Sequence, residues 1–141
     1  MATDSEQKVF IDTAPFIYLL EGHPTFASQV ELFFAQYEHA LWYTSVLTFN
    51  EFAIKPYEQQ KLHLLEDFKV LLDEIPVLVE VIDWDVADLA ARMRSQYPSL
   101  RAFDALQIAS ALTLDCDVFF TNDKSLKRIS ELSVILVEEV G

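Results

Sequence analysis

Four acidic residues, Asp12, Glu51, Asp104 and Asp123, fall where the sequence leaves a strand or enters a helix. Asp12 ends the apolar run Val9-Phe10-Ile11, and Asp123 follows Val118-Phe119-Phe120-Thr121-Asn122. Both read as carboxylates just past a strand's carboxyl end. In open parallel sheets ligands collect in the crevice outside those ends, so acids far apart in sequence can meet in space. Four carboxylates packed together without a cation would raise one another's pKa values or cost stability, and a divalent ion relieves that repulsion. Oxygen ligands with no clustered His or Cys suit Mg2+ or Mn2+. The expectation is one acidic pocket that holds such an ion.

Each acid also has a purely structural use. Asp12 and Asp123 precede helices, where a carboxylate caps free backbone N–H groups for ~1 kcal/mol. Thr48-x-x-Glu51 matches a capping box, and Asp104 lies in the first turn of its helix, where the macrodipole favours negative charge. The joint arrangement favours a site. Thr13, Thr121 and Asn122 stand beside the acids and can donate hydrogen bonds that orient a carboxylate or hold a water. Gln107, one turn after Asp104, faces either the pocket or solvent. Arg101 sits one turn before Asp104, and Lys124 and Lys127 follow Asp123, with Arg128 beside them. Arg101, Lys124 and Lys127 are therefore candidates for substrate binding, with ordinary ion pairing as the plain reading.

Other chemistries are poorly served. Gly22 and Gly141 are the only glycines, so the P-loop and the glycine-rich dinucleotide fingerprint are absent. Cys116 is the only cysteine, which excludes an internal disulfide and argues against structural zinc, and its apolar neighbours predict a buried thiol. His23, His39 and His63 show no ligand spacing. Trp42 and Trp84, at strand edges, read as core residues that also have a face on which a base could stack.

The elements that position these groups alternate between strand and helix. Strands are predicted at Lys8–Ile11, Leu41–Thr44, Val77–Ile82, Val118–Phe120 and Val134–Val137. Helices are predicted up to Glu21, over Thr25–Tyr37, Thr48–Tyr57, Gln59–Asp73, Val86–Tyr97 and Ala102–Leu114, with Gly22 and Pro24 stopping the first and Pro56 marking the break before the fourth. Such alternation predicts an α/β fold, a three-layer α/β/α sandwich with a mostly parallel central sheet and right-handed crossovers. With 141 residues, of which 52% are hydrophobic, there is core material for one domain over residues 1–141. The polar, acidic start from Met1 to Lys8 is wrong for a secretory signal, and no apolar run approaches the ~20 residues of a membrane span. A soluble cytoplasmic protein is expected. The net charge of -13 excludes a broad polyanion clamp, but leaves room for a negative field neutralised by divalent cations or for a local basic edge.

Several segments resemble the PIN-domain ribonucleases, and within them the VapC-type toxins of bacterial and archaeal toxin-antitoxin pairs. Phe10-Ile11-Asp12-Thr13 is similar to that family's opening strand with its first catalytic Asp, and Thr44-Ser45-Val46-Leu47-Thr48-Phe49-Asn50-Glu51 to its second-strand-to-helix segment. Phe103-Asp104-Ala105-Leu106-Gln107-Ile108-Ala109-Ser110-Ala111 resembles its Asp-Ala-Leu-led helix, and Phe120-Thr121-Asn122-Asp123 its Thr-Asn-Asp ending. The resemblance implies a PIN-like fold and a catalytic quartet of Asp12, Glu51, Asp104 and Asp123. It implies Asp12, Asp104 and Asp123 as ligands of Mg2+ or Mn2+, with Glu51 completing the shell and Thr121 as a polar companion. It further implies endoribonuclease activity on RNA, tRNA among the candidate substrates, through a metal-activated water that leaves 5′-phosphate and 3′-hydroxyl ends. A homodimer and a small antitoxin protein whose tail enters the active-site groove complete the implication. Ala14 stands where many relatives carry a small polar residue. The alternative reading is a catalytically silent PIN-like module that binds RNA or a protein partner. A haloacid-dehalogenase-type phosphatase needs a second acid where Ala14 stands, and a phosphoacceptor receiver lacks its acid pair.

Overall fold

Strands that are apolar at every position, rather than at alternate ones, belong to sheets covered on both faces. Val9, Phe10 and Ile11 of β1 (Lys8–Ile11) are fully buried, and every residue of β4 (Val118–Thr121) is buried. These two strands lie side by side within the sheet. The computed structural model describes residues 7–141; the polar opening segment through residue 6 lies outside the described residues. β2 (Leu41–Ser45), β3 (Val77–Glu80) and β5 (Ser133–Leu136) complete a five-stranded sheet of order β3-β2-β1-β4-β5. All four pairings are parallel.

Alternation within each strand divides the core in two. Phe10, Tyr43 and Phe119 face one layer, with Val86, Ala90 and Met93 of α5 (Trp84–Gln96) and Ala105, Ile108 and Ala109 of α6 (Ala102–Thr113). Val9, Ile11, Trp42, Val118 and Phe120 face the other layer. There they meet Phe16 of α1 (Thr13–Glu21), Val30 and Phe33 of α2 (Phe26–Gln36), Phe52 of α3 (Val46–Glu58) and Phe68 of α4 (His63–Glu74). The expected α/β/α sandwich is the observed one, with the sheet wholly rather than mostly parallel. Small residues on α6 let that helix lie close to the sheet. On the opposite face the Phe33 and Phe120 rings stack with centroids 3.6 Å apart.

The chain steps outward from β1 to β2 to β3, then returns across β1 to lay down β4 and β5 on the other side. The strand order therefore reverses between β1 and β4. A crevice opens outside the carboxyl ends of strands at such a reversal, because the connections leave toward opposite faces. Asp12 follows β1 and Asp123 lies just beyond β4.

Several boundaries differ from expectation for local reasons. Pro56 does not break a helix; it sits buried within α3, and the break falls after Glu58, where Gln60 adopts φ 55. Helix α3 begins at Val46 rather than Thr48, because Ser45 caps it by accepting from the Leu47 N–H. The Thr48-x-x-Glu51 capping box consequently does not form. β3 stops at Glu80, leaving Val81 68% exposed. Trp42 is buried as expected, whereas Trp84 is 87% exposed at the first turn of α5, where Asp83 caps the Val86 N–H. Cys116 is buried, and burial pushes its thiol up to about 12, which leaves it protonated and unreactive near neutrality.

Candidate active site

Asp12 occupies the N-cap of α1, and its Oδ1 accepts the Thr13 N–H at 2.8 Å. Capping does not use up the carboxylate. Oδ2 accepts from the Thr121 hydroxyl at 2.8 Å, and Oδ1 also accepts from Gln107 Nε2 at 3.3 Å. Burial nevertheless pushes the Asp12 carboxyl up to about 6, aided by the nearby charge of Asp104 and opposed by the three hydrogen bonds. A buried carboxylate that local donors leave under-compensated attracts a cation.

Gln107 is fully buried and faces this site rather than solvent. Its amide donates to Thr48 Oγ1 at 2.8 Å, while its carbonyl oxygen accepts from Ser45 Oγ. Thr44 Oγ1 donates to the Ile11 carbonyl at 2.7 Å and lies 2.7 Å from Thr48 Oγ1, so Thr48 supplies the proton between the two hydroxyls. The resulting relay ties β1, β2, α3 and α6 together beneath Asp12. Thr121 performs a similar service above it, because the same hydroxyl that donates to Asp12 accepts the Asp123 N–H at 3.2 Å.

Asp12, Glu51, Asp104 and Asp123 line a single hollow of about 200 Å³, together with Ala14, Tyr18, Arg101, Phe103, Thr121 and Asn122. The four acids come from the ends of β1 and β4, from α3 and from the first turn of α6. Arg101 supplies the cation visible there. Its Nε is 2.9 Å from Asp104 Oδ2, and a terminal guanidinium nitrogen is 3.6 Å from Asp123 Oδ2. Those contacts raise the Arg101 pKa, first through the hydrogen bond and charge of Asp104. Asp123 Oδ1 meanwhile accepts from the backbone and the hydroxyl of Ser125, at 3.0 and 2.7 Å. Glu51 is exposed at the rim, shared with an apolar groove of about 450 Å³ lined by Ile17, Leu20, Phe52, Ile54, Pro56 and Leu64.

Not every residue singled out from sequence converges on the acids. The Thr13 hydroxyl is buried with no hydrogen-bond partner among the described residues; only its backbone N–H reaches Asp12. Asn122 lines the hollow but orients no carboxylate, since its amide donates to the Tyr18 hydroxyl at 3.0 Å and accepts from the Glu138 N–H. Lys124 pairs with Glu138, and Lys127 pairs with Glu139 and donates to the Val134 carbonyl, so neither points into the hollow. Their partners come from the 3-10 turn Val137–Glu139, an element that sequence periodicity does not reveal. His23 accepts the Thr25 and Phe26 N–H groups at the start of α2, and no histidine lines the hollow. Tyr18, Ser45 and Thr48 were missed. Tyr18 carried one signal, standing four residues after Ala14 on the helix that Asp12 caps.

The donor set suits an oxygen-liganded divalent ion in type: four carboxylates with hydroxyl and amide support. Among the described residues no three His, Cys, Asp or Glu side chains are gathered closely enough to form a finished metal cage. Arg101 stands between two of the acids instead and acts as a stand-in cation, which shows that this crevice accommodates positive charge. No helix among the described residues is long and apolar enough to cross a membrane.

Comparison with known proteins bears on the family and the fold. Residues 9–132 match the family model described as PIN domain, and no curated protein matches the sequence significantly. The fold is similar to a toxin-antitoxin complex from Klebsiella pneumoniae, at 19% identity and TM-score 0.73 over 92% of this chain and 97% of that one. It is also similar to VapBC2 from Rickettsia felis bound to a promoter DNA fragment, at 14% identity and TM-score 0.74 over 92% and 98%. VapBC-1 from nontypeable Haemophilus influenzae matches at 17% identity and TM-score 0.71 over 94% and 99%. At these identities the likeness concerns the fold.

Proposed function

We propose that this chain, which belongs to the PIN-domain family, is an endoribonuclease dependent on Mg2+ or Mn2+ and the toxin of a type II toxin-antitoxin pair. The observation that carries this reading is that four carboxylates from four separate elements line one hollow at the reversal of the sheet. Asp12, Asp104 and Asp123 would hold the metal. When bound, the ion would polarise the attacking water and neutralise charge on the phosphoryl oxygens. Glu51, exposed at the rim, would take the proton from that water. Thr121 and Gln107 hold Asp12 in one orientation, so the carboxylate does not reorganise during the reaction.

Two partners follow from the same reading. The similar solved structures are toxin-antitoxin complexes; here, an antitoxin segment would fill the apolar groove beside Glu51, where Ile17, Leu20 and Leu64 are available to an amphipathic helix. A homodimer would cover some of the exposed apolar residues at and just after the edge strand β3, among them Leu78, Val81 and Trp84. The second reading, a silent module that binds RNA or protein, draws support from Arg101, which already neutralises Asp104 and Asp123. End chemistry on cleaved RNA separates the mechanisms. Hydrolysis by water gives 5′-phosphate and 3′-hydroxyl ends, whereas 2′,3′-cyclic phosphate ends would mean attack by the ribose and would overturn the acid-metal mechanism.

A further inference from the structure

Arg101 forms the wall between two polar hollows. On one side lies the acid-lined hollow described above; on the other is a hollow of about 340 Å³ lined by Ser99, Arg101, Asp104, Asp123, Ser125 and Arg128. Asp104 and Asp123 open onto both. The Arg101 side chain is 75% exposed even while it bridges them, so its release breaks two ion pairs without opening the core. The guanidinium end of these pairs is solvated, so Arg101 can leave into water, while the Asp104 carboxylate, only 8% exposed, keeps its demand for a cation. A divalent ion has twice the charge and sits closer to carboxylate oxygens than a guanidinium can, so it outcompetes Arg101 for the same atoms.

We infer that Arg101 is a built-in counter-ion for Asp104 and Asp123 that a divalent metal displaces, and that the displaced guanidinium joins Arg128 in the 340 Å³ hollow to hold an RNA phosphate beside the scissile one. This rests on the nuclease reading. Arg128 is exposed and forms no ion pair among the described residues, which distinguishes it from Lys124 and Lys127, both tied to glutamates. Ser99 and Ser125 line the same hollow, and hydroxyls with a guanidinium are the donors that phosphate oxygens accept. The substrate would thus meet its basic contacts in one small place despite a net charge of -13.

The test is Mn2+ titration of the full chain by calorimetry, without RNA, for the parent, Arg101→Gln and Arg128→Gln. Both side chains are exposed, so neither variant threatens the fold. Arg101→Gln should bind Mn2+ roughly three- to tenfold more tightly, and Arg128→Gln should change by less than about twofold. Unchanged or weaker binding in Arg101→Gln, or equal tightening in both, would overturn the displacement, the latter because it marks a general field effect. In turnover on an RNA oligonucleotide, Arg128→Gln should raise KM about tenfold with kcat nearly constant; an unchanged KM would remove the phosphate role. Metal binding with the predicted contrast but no cleavage of any RNA would sink the nuclease reading while leaving the displacement standing.

Discussion

Asp12 sits in a place that resists its charge. Its carboxyl is pushed from 3.8 to about 6 by burial, so the folded protein binds a proton more readily than the unfolded chain. The stability this confers is fully present below pH 3.8 and is lost as pH rises through about 6. By neutral pH the loss reaches about 3 kcal/mol at most. Asp12→Asn removes the titration while keeping a side-chain oxygen for the cap. In metal-free chemical denaturation, the variant should therefore gain stability relative to the parent between pH 5 and pH 8, by roughly 1–3 kcal/mol. A pH-independent difference would contradict the shift. Added Mn2+ should narrow the gap by stabilising only the parent. At this scale much was legible. Residue type and flanking strands pointed to all four acids, and the structure draws them around one hollow. What stayed hidden was partnership: nothing in sequence shows that the Gln107 amide turns inward, that Asn122 turns to Tyr18, or that Arg101 spans two acids, because rotamers depend on neighbours from other elements.

The elements hold this geometry through packing and caps. Phe33 of α2 lies flat on Phe120 of β4, next to the strand end that carries Thr121, and both rings are essentially buried. Phe33→Ala should cost about 3–5 kcal/mol in denaturant unfolding, with a loss under 1 kcal/mol counting against the stack as a main support. Gly22 ends α1 at φ 62 with open space where a Cβ would go, so Gly22→Ala should cost about 1 kcal/mol from backbone conformation alone. A neutral result would mean that the turn relaxes. Strand runs and most helices were legible because their apolar periods are strong. The failures share a cause: a local signal lost to a tertiary one. Ser45 capped α3 ahead of the Thr48 motif because Thr48 is drawn into the relay with Gln107, and Pro56 is accommodated inside α3 rather than ending it. Trp84 reads as core from a place at a strand edge, yet it starts α5 and stays in solvent.

For the whole molecule, charge and apolar exposure pull in opposite directions. A net charge of -13 opposes self-association, while Leu78, Val81 and Trp84 are large apolar residues left exposed at and just after the edge strand β3. If these residues lie in the dimer interface, light scattering should find a dimer in the parent and a shift toward monomer in Trp84→Ser. An unchanged mass in both would remove them from the interface. The parallel topology brings the acids together, and on the proposed nuclease reading their charge would make activity depend on cations that reach them. The most direct test is incubation of a total small-RNA preparation with the purified chain in Mg2+, Mn2+ or EDTA, with Asp104→Asn alongside. The acidic hollow predicts cleavage with metal, none in EDTA, and a loss of at least about 100-fold in the variant. Cleavage that persists in EDTA, or in a folded Asp104→Asn protein, would contradict it.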